Sequence, residues 1–146
     1  MMRADRVIPC GTWQIGQAVD IITLDYDRRY RRRIRLRTDT GTELLLDLPE
    51  ATHLREGDAL DCGADGLVRV VAAQEPIAEI TGDPALLIRL AWHLGNRHLD
   101  VAFGEGTLVI RSDHVIEAMV RGLGAQVQRL EAPFDPESGA YAHDHG

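Results

Sequence analysis

Trp92-His93-Leu94-Gly95-Asn96-Arg97-His98 sets two imidazoles on either side of a predicted helix end. Upstream, Asp83 followed by Pro84 marks a helix start: proline's fixed φ and missing N–H suit the first helical position, and an aspartate can accept from the orphan amides there. A helix over 84–94 follows, with Gly95 as its stop, because glycine enters the left-handed region without a Cβ penalty. His93 then lies in the last turn and His98 beyond it. Residues five apart on a continuous helix stand about 140° apart around the axis. The pair therefore lacks the one-turn spacing that lets two helical histidines grip one ion, and no glutamate lies between them as in zincins.

Around this helix the pattern from residue 74 onward is strand, helix, strand, strand, helix, strand. Strands fall at 77–80, 99–103, 107–111 and 125–130, with Gly104-Glu105-Gly106 as a tight turn between the middle two. Ser112 or Asp113 caps a second helix that runs to about Leu123, where Gly122 and Gly124 end it. This is the split βαβ order of a ferredoxin-like (βαββαβ) α+β fold, an antiparallel sheet with both helices on one face. Such a fold carries no activity by itself, and a second copy of the chain is an economical cover for its remaining surface.

Before residue 73 the turn signals come at short intervals: Asp39-Thr40-Gly41, Glu56-Gly57-Asp58 and Asp65-Gly66. Between them, 19–24, 34–38, 42–48 and 67–72 read as strands of a small all-β domain. The expected organisation is two domains, all-β over 1–73 and ferredoxin-like over 74–133. Pro133, Pro136, Gly139 and acidic residues then predict a flexible tail over 134–146 that ends His143-Asp144-His145-Gly146. Its two histidines share a side of an extended backbone, since i and i+2 point the same way. His53, in a turn-rich segment before Gly57, reads as a surface or capping residue.

The 146 residues suffice for a core, and a net charge of -7 opposes general nucleic-acid binding, which needs a positive surface. All 16 basic residues are arginine, so Schiff-base chemistry, a phosphate-loop lysine and a lysine general base are excluded. Seven arginines crowd between Arg28 and Arg37. In a strand Arg33, Arg35 and Arg37 would face water while Ile34 and Leu36 pack inward, with Asp25, Asp27 and Asp39 partly neutralising the run. Only Tyr26 and Tyr30 lie nearby for base stacking, which favours an acidic protein partner over nucleic acid. Cys10 and Cys62 match no metal or redox spacing and read as free thiols in a reducing cytoplasm. No continuous apolar h-region opens the chain, and no run approaches the roughly 18 apolar residues of a membrane helix.

His-Leu-Gly-Asn-Arg-His at 93–98, Asp113-His114-Val115-Ile116-Glu117-Ala118-Met119, and Gly139-Ala140-Tyr141 followed by histidines together resemble the UreE family of urease accessory metallochaperones, over nearly the whole chain. Taken alone, His98 has two readings: a ring capping the helix C-terminus, where positive charge is favoured, or a ligand. The resemblance implies the second, with His98 from each of two subunits binding one Ni(II) across a dimer axis. It also implies peripheral metal binding at His114, although Ser112 stands where a partner ligand is expected, and contributions from His143 or His145. The short histidine tail argues against a large storage role. His93 is left structural.

The function expected on these grounds is a homodimeric nickel metallochaperone, not an enzyme, which passes Ni(II) through the urease accessory GTPase to the urease apoprotein. Zn(II) and Cu(II) also accept imidazole and compete for the same histidines. Nucleic-acid or acidic-protein binding through the arginine strand is the alternative, followed by a metallohydrolase, which would need an open metal site with a positioned carboxylate.

Overall fold

The computed structural model describes residues 1–137, which form two compact units, one over Met1–Ala73 and a second beginning at Gln74. The chain is thus two-domain and mostly β, with a few helices. No helix among the described residues is long and apolar enough to cross a membrane.

The first unit contains β1 (Met2–Ala4), β2 (Arg6–Ile8), β3 (Ala18–Leu24), α1 (Tyr26–Arg29), β4 (Tyr30–Arg37), β5 (Glu43–His53), β6 (Ala59–Asp61) and β7 (Leu67–Ala72). One sheet has the order β1-β5-β4 and the other β2-β6-β7-β3, and each includes one parallel pairing, β1 on β5 and β3 on β7. Alternating strand residues meet in one core that includes Ile22, Leu36, Leu44, Leu46, Leu60 and Val68. Three strands lay below the reach of sequence patterning: β1, β2 and β6 have three residues each, too few to show a period, and exist because β5, β6 and β7 offer them partners.

On β4 the expected alternation holds. Leu36 is buried and Ile34 half-buried, while Arg33, Arg35 and Arg37 are exposed. The counter-charge differs from expectation: Asp47 on the neighbouring β5 receives Arg3 at 2.8 Å, Arg33 at 3.6 Å and Arg32 at 3.9 Å. Arg29, one of the seven arginines of the run, is fully buried. Its Nη1 donates to the Leu54 carbonyl at 3.3 Å, and its guanidinium lies 5.9 Å from the centre of the Tyr26 ring. His53, expected as a surface or capping residue, ends β5 half-buried, edge-on to Tyr26 and Tyr30 at 5.4 and 6.0 Å.

The second unit runs β8 (Gln74–Thr81), α2 (Pro84–Asn96), β9 (Ala102–Gly104), β10 (Thr107–Arg111), α3 (His114–Gly122) and β11 (Gln126–Pro133). Its sheet has the order β11-β8-β10-β9, antiparallel throughout. Leu87, Leu90 and Leu94 of α2 and Ile116 and Val120 of α3 share a core with Ala78, Ile80, Leu108 and Ile110, which puts both helices on one sheet face. Three sequence expectations change. The strand expected over 99–103 is only Ala102–Gly104, because residues 97–99 are taken up in closing α2. Asp83 contributes its backbone carbonyl to Leu87 rather than a side-chain cap. The tail does not begin at 134: Phe134 is fully buried and the Glu137 amide donates to the Val101 carbonyl at 2.9 Å.

The end of α2 departs most from expectation. Gly95 does not stop the helix, which continues through Asn96. Arg97 is the C-cap, the His98 amide donates to the Gly95 carbonyl at 3.0 Å, and the Leu99 amide reaches back to the Leu94 carbonyl at 3.1 Å. These bonds form a Schellman motif, in which the residue after the cap must be left-handed and is usually glycine. Here it is His98, whose φ of 59° is the only positive value at a non-glycine among the described residues. A left-handed L-residue costs about 1–2 kcal/mol. His98→Gly should therefore stabilise the fold by about 1 kcal/mol, a gain that a urea-denaturation curve reads as a raised midpoint at unchanged slope.

Candidate functional site

His98 is exposed at the C-terminal end of α2 and lines a cleft of about 410 Å³ together with Leu99, Asp100, Ser112, Asp113 and Ile116. The carboxylates of this cleft already have partners. Asp100 pairs with Arg111 at 3.6 Å, and Asp113 caps α3 by accepting from the amides of Val115 and Ile116 at 2.9 and 3.1 Å. Among the described residues no three histidines, cysteines or acids are grouped to hold a metal ion.

The surface leading to His98 is apolar. On α2, Ala85, Ile88, Trp92 and Gly95 are all exposed, Ile88 by 73% and Trp92 by 64%. Their spacing of three, four and three residues puts them on one stripe, the seam by which helices pair. A Cβ at Gly95 would meet nothing within 4 Å, so this chain leaves the end of the seam open. His93 stays out of it: half-buried, it lies edge-on to Trp92 at 5.1 Å, as suits a structural residue.

His114 opens α3 in a different setting. Glu117, fully buried, accepts from Arg129 Nε at 2.6 Å, from the Asp113 amide at 2.7 Å and from Ser112 Oγ at 3.1 Å. Arg129 Nη2 lies 2.6 Å from His114 Nδ1. Sequence reasoning missed Glu117 and Arg129. The Asp113/Glu117 spacing hints at reciprocal capping, but Arg129 comes from β11 and only the fold brings it here. His143 and His145 lie outside the described residues, and the remaining candidates, His98 and His114, both border the start of α3 or its cleft.

Burial pushes the Glu117 carboxyl up, but the Arg129, Asp113 and Ser112 hydrogen bonds and the Arg129 charge outweigh it and leave it below the usual glutamate value of 4.5. A carboxyl depressed in the folded state lends stability above its unfolded pKa and loses it as pH falls through the folded one. The second unit should therefore lose stability progressively below about pH 4.5. Glu117→Gln should cost about 1–3 kcal/mol at neutral pH and flatten that acid limb, as measured by thermal unfolding across a pH series.

Residues 4–73 match the family model for the N-terminal domain of the UreE urease accessory protein, and residues 75–146 match the model for its C-terminal domain. A urease accessory protein UreE from Bradyrhizobium sp. (strain ORS 278) is 55% identical over 150 residues, covering 100% of this chain and 71% of the relative. The protein of that name from Rhodobacter capsulatus is 49% identical over 152 residues, covering 100% and 94%. That from Chelativorans sp. (strain BNC1) is 48% identical over 147 residues, covering 99% and 90%. With both units matched and relatives this similar along the whole chain, the protein belongs to the UreE family of urease accessory proteins, which are chaperones rather than enzymes.

Proposed function

We propose that this protein carries Ni(II) for urease maturation as a homodimer, holding one ion between the two His98 side chains at the dimer axis. The observation that carries this reading is His98 itself: an exposed imidazole kept in a strained left-handed conformation at the open end of an apolar helix seam. Strain of this kind persists where function retains it, since glycine would relieve it at the same position. A two-fold axis near Gly95 would pack Ile88 and Trp92 against a second copy and bring two imidazoles to one point.

A site of few neutral ligands suits delivery. Imidazole is a good donor for nickel, and an ion shared between two chains can be released, whereas a structural site would enclose it in fixed thiolates. His143 or His145 supplies further donors in this reading. Zn(II) and Cu(II) compete for the same imidazoles, because donor type alone does not separate these ions. The βαββαβ order, with strand order β11-β8-β10-β9, supports assigning the second unit to the ferredoxin-like class as the dimerising, metal-binding domain. The unit over Met1–Ala73 is assigned as a separate all-β domain. The accessory GTPase and the urease apoprotein are the proposed recipients, in the cytoplasm.

Nickel titration by calorimetry, with the dimer mass confirmed by light scattering, tests the reading. The parent should take up about one tight ion per dimer. His98→Ala should lose that ion yet remain a folded dimer, and His93→Ala should keep it. Trp92→Asp should yield folded monomers without the tight site. A His98→Ala dimer that still binds one tight nickel would overturn the proposal.

A further inference from the structure

The Arg129 guanidinium occupies the place of a cation. Its Nε contacts the Glu117 carboxylate and its Nη2 the His114 imidazole, both at 2.6 Å, so a carboxylate oxygen and an imidazole nitrogen converge on one positive group. These are donor types that hold divalent ions. A guanidinium can only donate, so His114 Nδ1 is the acceptor and the single proton of the neutral ring sits on Nε2. Both ring nitrogens are closed to a metal: the Nδ1 lone pair is engaged and Nε2 carries the proton, whereas ligation needs a free lone pair. Moving the proton to Nδ1 would set two donors against each other across 2.6 Å. Arg129 cannot swing away freely, because Glu117 is fully buried and also holds the Asp113 amide and Ser112 Oγ. Losing the guanidinium would leave that carboxylate buried without its counter-charge.

We propose that Arg129 is a built-in plug in a Glu117–His114 cation site, which withholds His114 from divalent metals and leaves His98, of these two described histidines, to receive the cargo. The inference builds on the reading of His98 as the nickel site, but the plug itself rests on the Glu117, Arg129 and His114 contacts alone. It also separates this chain from what its family resemblance implies for His114. Arg129 is a specificity-determining residue that acts by denying a ligand.

Nitrogen-15 NMR of the histidine rings and nickel titration of the full chain test it. In the parent, the His114 ring should show its proton on Nε2 and keep that ring-nitrogen pattern while diamagnetic Zn(II) saturates the protein. Arg129→Ala should open the pocket and add about one ion per chain to the parent stoichiometry, with a nickel-dependent rise in melting temperature that the parent lacks at His114. Adding His114→Ala to that variant should remove the gain. Should Arg129→Ala fold poorly without metal, Arg129→Met, which keeps the apolar stem, serves in its place. A metal-bound ring-nitrogen shift of His114 in the zinc-saturated parent, or unchanged nickel stoichiometry in folded Arg129→Ala or Arg129→Met, would overturn the plug. Loss of the tight ion in His98→Ala is read separately, so failure of the His98 site and failure of the plug are distinguishable.

Discussion

The hydrogen bond from the Leu99 amide to the Leu94 carbonyl decides where His98 stands. It closes α2 two residues later than Gly95 would have done and forces the left-handed turn onto a histidine. The magnitudes explain why the chain accepts this. Burying a valine or leucine side chain contributes about 1.5–3 kcal/mol, and beyond the turn Leu99 and Val101 pack into the core that holds Leu87, Leu90 and Leu94. Together the two exceed the roughly 1–2 kcal/mol of a left-handed residue. Core packing therefore sets the helix end, and the imidazole is carried to the surface by constraints that do not involve it.

Charge is handled in two ways in the two units. On β4 the guanidiniums of Arg32 and Arg33, with Arg3 of β1, lie in water around Asp47, where screening keeps each pairing weak and leaves the strand face solvated and basic. In the second unit Glu117 is out of water, so its partners are obligatory and its geometry is rigid. The same side-chain types thus form an adaptable surface in one place and a fixed lattice of contacts in the other. The fixed lattice decides what His114 can do.

Two histidines with similar sequence credentials consequently differ in chemistry. His98 is exposed, and the two acids among the described residues that line its cleft, Asp100 and Asp113, are paired with Arg111 and with the α3 amides. His114 has an acid and a cation already in place. On the proposed reading of a nickel carrier, an open imidazole suits transfer better than one locked into a charge network.

The sequence by itself determined the two-part division, the alternation on β4, the strand and helix order of the second half and the family, because each is written in local periodicity or in contiguous motifs. It also singled out His98. It did not determine that Arg29 is buried, that three-residue β1, β2 and β6 pair, that Phe134 belongs to the core, or that Gly95 is helical. Nor did it bring Arg129 to His114. Those outcomes depend on partners distant in sequence, such as Leu54 for Arg29 and β11 for α3, and on core packing that overrides a local stop signal. Local rules rank a residue's options, and tertiary contacts, which are larger in sum, choose among them.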